Sequence, residues 1–124
     1  MKKWILAVVL PVMTLAACST GGAGDPAQVV ERYLEAKVKA DAQTVRSLLC
    51  SEMEADLERE SMTFVSVADV KLEGMVCVRD DDTNTVRCQG KIVATYGTEK
   101  TDFPLVAYRV VQEDGEWKWC GETQ

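Results

Sequence analysis

The chain has 124 residues, with 20 Asp and Glu against 14 Lys and Arg, no histidine and five cysteines. That length holds one folded domain with a leader rather than two domains. A net charge of −6 gives a surface that repels phosphate backbones and anionic headgroups, which sets aside nucleic acid as a partner and any lipid contact through the domain surface.

Lys2 and Lys3 precede an apolar run from Trp4 to Leu15, which ends in Ala16, Ala17 and Cys18. A charged start, an apolar middle and small residues at the end form the order of a secretory signal peptide. Trp4 to Ala17 spans 14 residues with Pro11 inside it, whereas a membrane-crossing helix needs about 20. Leu15-Ala16-Ala17-Cys18 resembles the lipobox of bacterial lipoproteins. That resemblance implies cleavage between Ala17 and Cys18 and lipidation of Cys18, by diacylglycerol on the thiol and palmitate among the acyl chains. An ordinary secretory signal with an incidental cysteine is the competing reading.

The expected regions are a signal peptide over residues 1–17, a lipidated cysteine and flexible tether over 18–24, and an α+β domain over 25–124. Two or more acyl chains hold a protein firmly on a bilayer, so the expected place is the extracytoplasmic face of a cell membrane or outer membrane. Ser19 stands after the cysteine where the enteric inner-membrane retention signal has Asp. Loss of Lys2 and Lys3 with the signal takes the formal charge from −6 to −8.

Ser19 to Gly24 is small and flexible in composition, a tether. Asp25-Pro26-Ala27-Gln28 then starts a helix: Asp25 can cap free amides, Pro26 fits the first helical position, and Gln28 can reach back. Val29, Val30, Tyr33, Leu34 and Val38 recur at helical spacing, which predicts a helix over about 26–39 with Glu31, Arg32, Glu35 and Lys39 facing away. Asp41 can cap a second short helix with Val45, Leu48 and Leu49 on its apolar side. Ser51-Glu52-Met53-Glu54 reads as a capping box opening a third through about Glu60.

After Ser61 the period becomes alternating and β-forming residues become frequent. Val70, Leu72, Val76 and Val78 alternate with Lys71, Glu73 and Arg79 in a first half-buried strand. Val86, Cys88, Ile92, Ala94 and Tyr96 alternate with Arg87, Gln89 and Lys91 in a second, and Asp80 to Thr85 forms the polar turn between them. A third strand is expected over about Thr101 to Gln112, and Glu113-Asp114-Gly115 signals a hairpin into a fourth, Glu116 to Gly121. Helices followed by a four-stranded antiparallel meander predict an α+β fold with helices on one face of the sheet.

This order resembles the nuclear transport factor 2-like cone fold, especially its small lipoprotein members. The likeness is carried by Asp25-Pro26 opening a helix with Val29-Val30 and Tyr33-Leu34, by Leu48-Leu49-Cys50, and by four strands ending in Asp114-Gly115-Glu116-Trp117-Lys118-Trp119-Cys120. It implies a strongly curved sheet wrapped around the helices, with a pocket at the open end used by many members for small ligands and by some for catalysis.

With Cys18 assigned to lipid, Cys50, Cys77, Cys88 and Cys120 remain, an even number suited to two disulfides outside the cytoplasm. Zinc is not expected, because no pair has close ligand spacing and the chain lacks histidine. Cys77 and Cys88 flank the Asp80 to Thr85 turn almost symmetrically, so a hairpin there sets them opposite each other. Cys50 is then left for Cys120, a pairing the resemblance also suggests. Strict alternation argues instead for Cys50 with Cys88, since it puts Cys88 on the apolar face and Cys77 on the polar one. A bulge in the first strand would remove that conflict.

Asp80-Asp81-Asp82-Thr83-Asn84 superficially matches a calcium loop, but Thr85 stands where Gly is needed and Lys91 where a bidentate Glu belongs, so a solvated turn is expected. Tyr96, Phe103, Tyr108, Trp117 and Trp119 are candidate pocket residues, with core aromatics as the alternative. No catalytic residue, metal or cofactor is expected: no carboxylate falls on an inward strand position, and Asp69 and Asp102 look like edge or solvent positions. The functional expectation is a noncatalytic binding or interaction domain on a membrane, for a small ligand or an envelope protein. A cone-fold isomerase or dehydratase, or a structural subunit of an envelope complex, are the alternatives.

Overall fold

The computed structural model describes residues 24–123, so the expected signal peptide and the lipidation site at Cys18 lie outside the described residues. No helix among the described residues is long and apolar enough to cross a membrane. The architecture is three helices followed by five strands in one antiparallel sheet, the α+β order expected from the change of period.

Helix α1, Pro26–Val38, starts as its sequence requires: the Asp25 carboxylate accepts the Ala27 N–H at 2.9 Å and Pro26 takes the first turn. Gln28 is exposed and makes no return bond, so the expected capping box is only half formed. Val29, Val30, Tyr33 and Leu34 are buried along one stripe. Helix α2, Ala42–Leu48, is capped by Asp41 through the Thr44 N–H at 3.2 Å and buries Val45 and Leu48. Leu49 then leaves the helix and forms a parallel bridge to Trp119, and the Cys50 N–H donates to the Trp119 carbonyl at 2.9 Å.

That bridge corrects the reading of Ser51 to Glu54. Because Cys50 is held extended, it takes the N-cap position of a 3-10 segment, Ser51–Asp56, with no side-chain cap. Ser51 is turned instead toward Glu113, whose carboxylate accepts from its N–H and its hydroxyl, both at 2.9 Å. Regular α-helix resumes only in α3, Leu57–Met62.

The strands are β1 (Asp69–Arg79), β2 (Thr85–Tyr96), β3 (Glu99–Pro104), β4 (Ala107–Glu113) and β5 (Glu116–Glu122). They number five, where four were expected, because the run from Thr101 to Gln112 is interrupted at Leu105 and Val106. β3 pairs with Lys91–Tyr96 of β2 and β4 with Thr85–Arg87 of the same strand. Across the gap the Leu105 N–H donates to Gly90 and the Cys88 N–H to Val106, so the chain stays beside β2 throughout.

This interruption lies level with two others. β1 shifts register between Glu73 and Val76, and Gly90 of β2 has φ +103°, with any Cβ there falling 2.6 Å from the Glu73 carbonyl oxygen and the Gly74 backbone. Only glycine tolerates that conformation and that approach. Three adjacent strands are therefore irregular along one line, where bulges bend and twist a sheet.

The shift in β1 also reverses its faces. Val76 and Val78, expected on the same side as Val70 and Leu72, are 55% and 61% exposed, while Cys77 turns inward. The disulfide conflict disappears with it. Cys77 and Cys88 are directly opposed partners and are bonded, with Cα atoms 4.1 Å apart. Cys50 is bonded to Cys120, 70 residues on, with Cα atoms 5.2 Å apart. α1 lies across β1, β2, β4 and β5, and Val30, Tyr33, Val45, Val86 and Val110 are fully enclosed between helices and sheet.

Candidate functional site

Beyond the bend line the sheet is not filled. A cavity of about 540 Å³ opens between the last turns of α1, the α3 region, the far parts of β2 and β3, and the Tyr108 and Trp119 to Glu122 stretches of β4 and β5. Leu34, Phe64, Ile92 and Leu105 supply apolar wall. Four of the five expected pocket aromatics, Tyr96, Phe103, Tyr108 and Trp119, line it. Tyr96 and Phe103 remain 47% and 39% exposed, and Phe103 meets Phe64 edge to face at 6.1 Å.

Trp117 is the exception. Alternation puts it on the same face as Trp119, but it lies under the first half of α1 and α2 beside Val29 and Leu48, and the Arg79 guanidinium covers its ring at 5.0 Å. It is a core aromatic and takes no part in the cavity. Trp119 lies at the boundary: it stacks on Tyr33 at 3.9 Å with an interplanar angle of 11°. Its buried indole N–H has no hydrogen-bond partner among the described residues.

The charged residues of the cavity, Lys37, Arg59, Glu60 and Glu122, were not expected. Glu60 of α3 is buried, 7% exposed, and lines the cavity. Its Oε2 accepts from the Tyr33 hydroxyl and from Lys37 Nζ, each at 2.6 Å. Arg59 stands 3.8 Å from Oε1. A buried carboxylate is tolerable when ion-paired and hydrogen-bonded in this way. Burial first, and the bond to Glu60 second, push the Tyr33 hydroxyl far above the ordinary tyrosine range. Burial raises Tyr108 as well, partly offset by the Val106 N–H that its hydroxyl accepts at 3.4 Å.

The signal for Glu60 was present in the spacing: Leu57, Glu60, Ser61 and Phe64 recur as an inward helical stripe. The other carboxylates stand where the sequence suggested. Asp102 is exposed and pairs with Lys91 at 2.9 Å, and Asp69 is exposed beside Lys71. Asp80 is held by Arg87 at 2.6 Å, while the Thr83 N–H and hydroxyl both donate to the Asp80 carbonyl. Those bonds make the acidic run a closed hairpin turn.

Chemically, the cavity offers an aromatic and aliphatic wall with one buried, ion-paired polar cluster. Small-molecule sites in general share that make-up, a mostly apolar wall with a few placed polar groups. No protein-family model matches the chain, and no curated protein matches it.

Proposed function

We propose that the chain is a membrane-anchored extracytoplasmic lipoprotein, tethered through Cys18, whose domain is a nuclear transport factor 2-like cone that binds a small ligand without transforming it. The observation that carries the reading is the half-open cavity of about 540 Å³ with Tyr96 and Phe103 exposed in its wall. Exposed aromatics around a concavity favour a ligand over a purely structural role. The line of irregular positions at Glu73 to Val76, Gly90 and Leu105 supports the cone, since such a bend curls a sheet around its helices.

A buried carboxylate beside a tyrosine hydroxyl is also what an isomerase or dehydratase of this fold would need. Against catalysis stands the use to which the pair is put. The Tyr33 proton is directed at Glu60, and Lys37 is bonded to the same oxygen, so the tyrosine is not free to polarise a bound carbonyl.

The binding reading is tested by titrating N-phenyl-1-naphthylamine, a neutral apolar fluorophore, into the protein. Saturable one-to-one enhancement is expected, weakened at least tenfold in a Tyr96→Ala, Phe103→Ala double variant. Unsaturable enhancement, or binding indifferent to both substitutions, would remove the cavity from consideration. For the anchor, Cys18→Ser is expected to abolish incorporation of labelled palmitate and release the protein from the membrane fraction. Retention of label would refute it.

A further inference from the structure

The geometry points to a neutral, hydroxyl-bearing amphiphile as the ligand class, with its hydroxyl at Glu60 and Lys37 and its apolar body against Tyr96 and Phe103. The inference rests on the cavity being a binding site and names what that site selects.

Four charged side chains line the cavity, Lys37 and Arg59 against Glu60 and Glu122. Their charges balance, so an ion entering the cavity meets repulsion as well as attraction and gives up its hydration for neither. Within the cluster the hydrogen-bonding capacity is unevenly used. Glu60 Oε2 carries both donors, Tyr33 and Lys37, while Oε1 accepts no hydrogen bond among the described residues, Arg59 being 3.8 Å away. An ionised carboxylate only accepts, and an ammonium has three N–H groups to donate. One bond from Lys37 is present here, to Glu60.

The cluster therefore offers one open acceptor and spare donor capacity side by side. A hydroxyl satisfies both at once, donating to Oε1 and accepting from Lys37. An ammonium can only donate and a carboxylate can only accept, so each leaves one side of the cluster unmet, and a methyl ether lacks the donor. An unmet buried group is costly, which makes this a selective arrangement.

Four probes sharing one naphthalene body separate these chemistries: 2-naphthalenemethanol, its methyl ether, 2-naphthoate and 2-naphthylmethylammonium, each titrated by tryptophan fluorescence. The alcohol is expected to bind at least tenfold tighter than the ether and tighter than either ion. Glu60→Gln should cut the alcohol-to-ether ratio below threefold with little change in ether binding, which also reports that the variant is folded. A Lys37→Met, Glu60→Gln double variant preserves the charge balance and should show the same loss. An ion that outbinds the alcohol, or a ratio unchanged in both variants, overturns the hydroxyl assignment while leaving the cavity as a site. Saturable binding of none of the four overturns the cavity itself.

Discussion

The bend line divides the sheet into two parts built for different ends. Below it, β4, β5 and the adjoining ends of β1 and β2 lie under α1 and α2 and carry both disulfides. Leu49 and Cys50 cover the outer edge of β5. Above it, β3 and the far parts of β1 and β2 carry no cross-link, and the aromatics Tyr96 and Phe103 are left in solvent. A domain of about 100 residues buries only roughly two thirds of its unfolded surface. The two parts therefore differ in cross-linking and in the exposure of their aromatics.

The largest test of that division is removal of the staple. Replacing Cys50 and Cys120 together by alanine opens a loop of 70 residues, worth about 4 kcal/mol on the loop-entropy model. Cys77 and Cys88 close only 11, about 3 kcal/mol. Urea midpoints of the two double variants should fall in that order, and the reverse order would mean that the native hairpin, rather than chain entropy, sets the stability.

Gly90→Ala attacks the line between the two parts. Its methyl group would enter the backbone of Glu73 and Gly74 at a φ that L-residues avoid, a loss of about 3 kcal/mol. Because the sheet must flatten to accept it, probe binding should weaken as well. Unchanged stability would remove the close approach from the account.

Tyr33→Phe lies where the two parts meet. It keeps the ring stacked on Trp119 but removes a hydrogen bond to a buried charged group, about 2 kcal/mol. Thermal unfolding should detect that loss with the near-ultraviolet tryptophan signal retained.

The smallest effect is expected from Glu52→Gln, at the exposed pair that braces the stapled end. Arg109 bonds the Glu52 carboxylate at 2.8 Å and, by that bond first and its charge second, lowers its pKa. A lowered folded-state value means that the stabilisation is present above the ordinary glutamate pKa and fades as pH falls through the folded one. The variant should therefore differ from the parent near neutrality by little, as exposed pairs do, and that difference should vanish in acid. A gap that widened on acidification would reverse the sign.

Elements whose cause is local were legible in the sequence. Asp25-Pro26 and Asp41 start helices because capping needs only neighbours, and Cys77 meets Cys88 because a short turn lies midway between them. Elements decided from a distance were not. Leu105 and Val106 continue a β-forming run, and the one mark of the break beside them is Pro104; the bend at Gly90 in the neighbouring strand β2 has no local sign there. Ser51 fits a capping box, yet the pairing of Cys50 with Trp119 takes its place at the helix start. Of the site, the aromatics were visible as a group, but their division was not: α1 and α2 cover Trp117 and leave Trp119 at the cavity. Glu60 has the inward spacing, but Glu58 and Arg59 just before it make the segment read as a charged surface, and its burial depends on Tyr33 and Lys37, more than 20 residues away.

The direction of α1 has a consequence for delivery. The chain enters the domain at Asp25, and the cavity is built against Leu34 and Lys37 at the helix's other end. A helix of 13 residues is about 20 Å long, and the seven peptide steps from Cys18 to Asp25 reach at most ~25 Å. Were Cys18 held by lipid, that reach would exceed the length of the helix, so the cavity end would be within range of the bilayer surface as well as of the water.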